Sequence, residues 1–310
     1  MYRAAVRTPL VRVDLPDAPE GLTEIYLKLE MLQPIGSFKI RGAFNVIRQL
    51  SSAELSKGIW TVSAGNAALG VAYAAKVVGA KASVLVMDTA PDTKVRALER
   101  LGATIVRASY DECWQTVVTH TAPARSGLGA LSGTFVHPFD DDRFIAGNGT
   151  VGLEILEDLP DVDAVVAPLG GGGLLAGIAA AIRPLKPSTR IYAAEPETAS
   201  PLAASLEAGR AVTFERWQAS FVDGAGGKSV LESMWPLLSP LSGSIVVTLD
   251  DVARAIRLVA ERAHVIAEGA AGCAVAAAAS GRAGGGKVVA VVSGGNIDLA
   301  RFTSLVQTAP

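Results

Sequence analysis

Hydrophobic positions along the chain switch period repeatedly. Short runs rich in Val, Ile and Leu have the form of strands buried on both faces. They alternate with longer stretches whose apolar residues recur at helical spacing. EIYLKLE at 24–30 reads as a strand. GIWTVSA at 58–64 reads as a second, and NAALGVAYAAKVVGA at 66–80 then has helical spacing. KASVLVM at 81–87 predicts a strand and DTKVRALERLG a helix ending at Gly102. ATIVRAS at 103–109 predicts another strand, with a helix after it through Val117. DAVVAPL at 163–169, RIYAAEP at 190–196 and KVVAVVS at 287–293 are later strands, each followed by helix-like sequence. RAGGGK at 282–287 predicts a surface turn, and the last helix is expected to end near Val306. Such alternation predicts an α/β fold with mostly parallel sheets covered by helices. Ligands in these sheets bind beyond the carboxyl ends of the strands, so the loops after strands are the candidates for chemistry.

Composition narrows this picture. The chain has 310 residues, enough for two modest domains or one large one. Half of them are hydrophobic but only 5% are aromatic, which suggests alanine-rich helices packed closely on sheets. A net charge of −2 without a long basic run argues against nucleic acid or an anionic membrane as partner. The segment AVVAPLGGGGLLAGIAAAI at 164–182 is uncharged over the length of a membrane span. Pro168 and the glycines at 170–173 would break a helix there, so a buried strand, a glycine turn and a helix are expected instead. The two cysteines, Cys113 and Cys273, form no CxxC pair, so no zinc site or disulfide framework is read. Both are expected to be buried and inert, and a reducing cytoplasm is the expected location. The N-terminus has no apolar run long enough for a secretion signal. His120, His137 and His264 are scattered, and each reads as structural rather than as a ligand.

Three loops after strands and one lysine carry candidate chemistry. In TVSAGNAALGVA at 61–72, a strand runs into a helix whose first N–H groups lack intrahelical partners. With Ser63 and Asn66 they suit a carboxylate, although either side chain could simply cap the helix. In APLGGGGLLAG at 167–177, four glycines let the backbone wrap a compact phosphate at a helix N-terminus. The other reading is tight helix–sheet packing. Leu174 stands where a Walker lysine would be, and Leu175 breaks a dinucleotide fingerprint. In VVSGGNIDLA at 291–300, the hydroxyl of Ser293 ends a buried strand and offers one donor or acceptor. Lys39 stands between Phe38 and Ile40, and desolvation there would favour its neutral, nucleophilic form. A phosphate cradle, a carboxylate cradle, a lone hydroxyl and a desolvated lysine together fit pyridoxal 5'-phosphate and an amino-acid substrate.

GSFKIRGA, SAGNAALGVA, HPFDDDRFIAGNGTVGLEI, PLGGGGLLAGI, AAEPE and VVSGGN occur in that order along nearly the whole chain. They resemble the pyridoxal-phosphate enzymes of fold type II, specifically the threonine/serine dehydratase and serine racemase family. The resemblance implies a tryptophan-synthase-beta-like fold of two open twisted sheets with helices on both faces, and the cofactor held between two domains. Residues 1–57 and 136–310 would form the larger, cofactor-binding domain and 58–135 the smaller. It also implies a homodimer. By matching motif, Lys39 is the Schiff-base lysine and the base for the α-proton, Phe38 packs on the cofactor and Asn66 reaches its ring hydroxyl. Gly170, Gly171, Gly172, Gly173 and Leu174 hold phosphate. Ser293 meets the pyridine nitrogen, Glu268 lies near the ring and the backbone of Gly224 lines the site. Ser63, Ala64, Gly65, Asn66 and Ala67 form the substrate loop. The implied activity is α,β-elimination from a β-hydroxy L-amino acid to a 2-oxo acid and ammonia. A serine at the ring nitrogen favours rapid loss of a β-leaving group over transamination.

The chain departs from the family pattern at several positions. Ala64 replaces the second serine that racemases of the family use as a base, so racemisation is expected to be weak. Ala67 and Leu69 replace the usual histidine and glutamine. They either make room for a bulkier substrate such as a phenylserine or belong to helix packing. Pro201 occupies the second position of the pair, six residues apart, that holds a cation in some relatives, so no metal is expected beside Glu195. Asn148 replaces a usual glutamine. The same fold also admits a β-replacement or threonine-synthase-like enzyme, and a non-catalytic cofactor- or amino-acid-binding protein is the reading from another class.

Overall fold

The computed structural model describes residues 1–15, 22–124, 129 and 131–308. Among them, ten strands run β1 (Leu10–Val13), β2 (Leu22–Leu29), β3 (Ile59–Val62), β4 (Ala82–Met87), β5 (Thr104–Ala108), β6 (Thr134–Phe135), β7 (Ala164–Pro168), β8 (Arg190–Pro196), β9 (Gly243–Val247) and β10 (Gly286–Val292). The helices are α1 (Lys39–Ile47), α2 (Ser52–Ser56), α3 (Asn66–Val78), α4 (Asp92–Arg100), α5 (Tyr110–Thr119), α6 (Asp142–Asp158), α7 (Gly173–Ile182), α8 (Pro201–Ala208), α9 (Trp235–Leu238), α10 (Leu249–Ala263), α11 (Gly269–Ala279) and α12 (Leu299–Thr308). The strands read from hydrophobic runs all form. Three more elements lacked a long apolar run to announce them: β1, the two-residue β6, and β9 with its partly exposed faces.

The chain divides into two compact units. One takes Met1–Val6, Gln33–Ile35 and Lys39–Gly147, the other Arg7–Leu32, Gly36–Phe38 and Asn148–Pro310.

The first unit carries a four-stranded parallel sheet in the order β5-β4-β3-β6. Its strands are short and apolar, and β3 is buried at every position. The core joins Val84, Val86 and Ile59 to the alanine face of α3 and to Ile40, Phe44 and Ile47 of α1. The chain advances outward from β3 through β4 to β5, then returns to β6 on the other side of β3. Sheet order therefore reverses beside β3, and the crevice at such a reversal is where α/β sheets bind ligands.

The second unit carries a six-stranded sheet in the order β1-β2-β10-β7-β8-β9. Only β1 is antiparallel to its neighbour. Its core packs the valines of β10 and β7 against α11, whose sequence GAAGCAVAAAA is buried over ten consecutive residues. Small side chains let this helix approach the sheet closely; a Cβ on Gly272 would come within 2.6 Å of Ile256 on α10. Here the order reverses between β10 and β7, which pair through Val288, Val289 and Ala290. The loops that follow these two strands, 169–172 and 293–298, are therefore neighbours although far apart in sequence.

The uncharged run at 164–182 is β7, a glycine bend and α7, as its Pro and Gly residues predicted. Among the described residues no helix is long and apolar enough to cross a membrane.

Candidate active site

In the first unit, Lys39 opens α1. Its Nζ donates to the Pro138 carbonyl at 2.7 Å and lies 5.4 Å from the centroid of the Phe144 ring. Two glycines make this arrangement possible. A Cβ on Gly42 would stand 2.3 Å from the Phe144 ring, and one on Gly70 would stand 3.0 Å from the Lys39 carbonyl. Gly70 thus lets α3 close on the first turn of α1, one helical turn from Asn66. A glycine inside a helical pattern was the available signal for this contact.

His137 shapes the loop that presents Pro138. Its Nδ1 accepts from the amides of Phe139 and Asp140 at 3.2 and 2.6 Å. Nε2 therefore carries the hydrogen and donates to the Val117 carbonyl at 3.0 Å. Burial lowers its pKa to about 4, so the ring is neutral, the form in which Nδ1 accepts. His120 and His264 instead end α5 and α10 with φ of 60° and 57°, each as the left-handed cap. All three fit the structural reading.

The 63–67 loop, expected from the sequence to bind substrate, follows β3. The Ser63 amide donates to Leu85 O at 3.0 Å, and Ser63 Oγ accepts from the Gly65 amide at 3.0 Å. Gly65 is the N-cap of α3 and no side chain caps this helix. The capping alternative for Ser63 and Asn66 is thereby removed, and the first amides of a thirteen-residue helix face the loop with a positive dipole end. Ser63, Ala64, Gly65 and Asn66 are half-buried and Ala67 is buried. Leu69 is half-buried and packs against the core of the unit. Arg41 is fully buried, with Nη2 3.3 Å from the Val6 carbonyl.

In the second unit, the glycine loop links β7 to α7. Gly172 caps α7 with φ +90°, a conformation that L side chains rarely adopt, and no side chain caps the helix. A Cβ on Gly170 would lie 2.7 Å from the Gly224 carbonyl, and one on Gly172 would lie 2.7 Å from Leu238. Packing therefore explains Gly170 and Gly172 in part. Gly173 begins the helix, followed by buried Leu174, and Gly171 is half-buried in the bend. Asn148 anchors this turn from α6: its Nδ2 donates to Gly173 O at 3.2 Å, while its Oδ1 is buried without a partner among the described residues.

Ser293 follows β10 and is buried. Its carbonyl accepts from the Phe38 amide at 3.0 Å, and Ser37 bridges Gly294. Glu268 is the N-cap residue of α11, and its amide donates to Gly294 O at 3.0 Å. Its Oε2 accepts from the Asn296 amide at 3.2 Å. A Cβ on Gly294 would meet Glu268 Oε1 at 2.6 Å, so this glycine is required by close approach. Gly224 lies near both the glycine loop and Glu268, whose Oε1 would be 3.6 Å from its Cβ. Phe38, Gly224, Glu268 and Ser293 thus gather in one unit around the reversal of its sheet order. Lys39 and the 63–67 loop gather in the other.

Glu195 is fully buried. It accepts from the amides of Leu202 and Ala203, both at 2.8 Å, and from Ser244 Oγ. Burial pushes its carboxyl upward. Proline at 201 opens α8 and aims these amides at Glu195, so the carboxylate is bound by backbone. Among the described residues no three His, Cys, Asp or Glu side chains cluster as metal ligands. Cys113 and Cys273 are buried and form no disulfide with each other, and burial holds the Cys273 thiol well above its ordinary range.

The residues suit pyridoxal phosphate. A helix N-terminus without a side-chain cap, behind glycines that leave no room for a Cβ, suits the phosphate. A buried serine hydroxyl at the end of the neighbouring strand suits the ring nitrogen, and a primary amine suits the aldehyde.

Comparison with known proteins agrees. The profile of the family described as pyridoxal-phosphate dependent enzyme matches residues 2–294. L-threonine ammonia-lyase of Thermotoga maritima is 41% identical over 280 residues, 89% of this chain and 68% of its own length. The catabolic L-threonine dehydratase of Staphylococcus aureus strain N315 is 37% identical over 97% of this chain and 87% of its own length. The solved structure of processed threonine deaminase isoform 2 from Solanum lycopersicum superposes with a TM-score of 0.85 at 32% identity, covering 99% of this chain and 89% of that one. Maize serine racemase gives the same TM-score and identity, over 97% of this chain and 91% of that one. The chain belongs to the pyridoxal-phosphate-dependent enzyme family, with the fold type II architecture that its motifs implied.

Proposed function

We propose that this enzyme converts a β-hydroxy L-amino acid to a 2-oxo acid and ammonia, the water lost in the elimination being regained on hydrolysis. Threonine, serine or an amino acid with a bulkier β-substituent is the substrate. The observation that carries the reading is the likeness to L-threonine ammonia-lyases and dehydratases along nearly the whole chain, with Lys39 at its motif position and its amine held at Pro138.

Pyridoxal phosphate, when bound, supplies the covalent handle for the substrate amine and an electron sink for the pair left by the departing α-proton. In this reading the amides at the starts of α7 and of the glycine bend hold its phosphate. Ser293 would meet its ring nitrogen through a hydroxyl that cannot hold it protonated, and Phe38, Asn66 and Glu268 would be the residues beside the ring. The amides at the start of α3, with Ser63 and Asn66, orient the substrate carboxylate. Lys39 Nζ would be the base that takes the proton from the α-carbon. The bond from the β-carbon to oxygen then breaks with its electron pair, and the oxygen takes a proton and leaves as water. The released unsaturated amine adds water and loses ammonia. Pro138 O accepts a hydrogen from Nζ, which supports a role in aiming the amine before and after proton transfer.

The test is 2-oxo acid release from L-threonine, L-serine, D-serine and the 3-phenylserine diastereomers, with the cofactor supplied. Lys39→Ala should lower the rate on any active substrate by at least about a thousandfold. An active Lys39→Ala protein would sink the assignment.

A further inference from the structure

The first unit contains an apolar cavity of about 160 Å³ beside the substrate loop. Val62 of β3 and Leu85 and Met87 of β4 form one side; Cys113, Trp114 and Val117 of α5 form the other. Ser63, Ala64 and Tyr110, the first residue of α5, complete the lining, and it holds no Asp, Glu, Lys, Arg or His. A mostly apolar lining without a charged side chain favours an apolar group over a phosphate or ammonium, which would lose hydration there. The volume matches a single aromatic ring: an apolar protein cavity of about 150 Å³ takes up benzene. Ala67 and Leu69, the positions where the loop departs from the family pattern, do not line it.

Position decides what the ring belongs to. Ser63 and Ala64 immediately precede the α3 N-terminus, to which the reading above assigns the substrate carboxylate. In an α-amino acid, a ring on the β-carbon is roughly three carbon–carbon bonds from the carboxyl carbon. A ligand whose carboxylate is held at the start of α3 therefore has its β-substituent within reach of the cavity that shares this loop.

We propose that this cavity is the side-chain subsite of the enzyme and takes an aryl β-substituent, so that a 3-aryl-3-hydroxy amino acid is a preferred substrate. The proposal rests on the carboxylate reading of the α3 N-terminus. It places specificity in β4 and α5, at Leu85, Met87, Cys113, Trp114 and Val117.

Two measurements on the cofactor-loaded enzyme test it. The first is the ratio of kcat/KM for 3-phenylserine to that for L-threonine, in the wild type and in Cys113→Phe, which fills the cavity. The ratio should fall at least about tenfold in the variant, the scale on which an apolar pocket discriminates by size. The second needs no turnover and no core substitution. Titration with L-phenylalanine, which has no β-hydroxyl to lose, should change tryptophan fluorescence saturably in the wild type but not in Trp114→Phe. Threonine turnover without phenylserine turnover, and without that fluorescence change, overturns the subsite and leaves the elimination reading standing. An unchanged ratio in Cys113→Phe overturns it as well. Turnover of neither substrate, nor of L-serine, overturns the elimination reading, and the fluorescence titration then decides the subsite by itself.

Discussion

His137 couples protonation to fold stability at a single ring. The folded protein holds it neutral with a pKa lowered to about 4, against about 6.5 in the unfolded chain. Between those values the unfolded chain carries the extra proton, so stability is full above the upper one and drains away as pH falls toward the lower. The loss from this residue reaches up to about 3 kcal/mol. Urea unfolding across that interval should show a steeper loss in the wild type than in His137→Leu, and equal slopes would contradict the assignment. Ala64 makes a second prediction at this scale. In the proposed assignment it offers no proton on the side of the substrate where the family resemblance implies that racemases use a serine. Ala64→Ser should add measurable L-to-D interconversion of serine, read by chiral chromatography; no gain would count against the face assigned to this residue.

At the scale of elements, β2 is pinned to α6 by a buried charge network. Lys28 is fully buried, with Nζ donating to Glu154 Oε2 and Thr8 O, both at 2.7 Å. Thr8 in turn donates to buried Glu30 at 2.5 Å. Strand β2 and the long helix α6 are thereby held by a few directional bonds. Removing one partner leaves a buried carboxylate uncompensated, so Lys28→Met should cost about 3–5 kcal/mol in chemical denaturation. Lys28→Met with Glu154→Leu should recover more than half of that, because both charges are then gone. A double variant no more stable than the single one would show that the pair does not act as a unit. The glycines of the site work at the same scale. Gly70, Gly170 and Gly294 each admit a backbone or side chain at a distance that a Cβ would block, so they set how closely helix, loop and strand meet.

At the scale of the whole molecule, the proposed assembly is a homodimer, as the family resemblance implies. Light scattering should give twice the mass of the chain, and a monomer that retains full activity would refute the assembly as a requirement.

What could be read from the chain alone was what depends on local backbone chemistry. Strand–glycine–helix junctions announce themselves because only glycine suits a bend such as Gly172, and because buried parallel strands must be continuously apolar. GSFK and the glycine bend therefore marked the residues proposed to hold the cofactor, and Pro168 with its glycines excluded a spanning helix. Short or half-exposed strands such as β6 and β9 escaped because they carry too little of that pattern. Tertiary structure alone decided the pairing of β10 with β7, which makes Ser293 a neighbour of the glycine loop. It also decided the bond from Lys39 to Pro138, which spans 99 positions of sequence. The neutrality of His137 and the volume beside Ala64 were settled in the same way. Each depends on which distant surfaces exclude water from one another, and single-residue propensities carry no record of that.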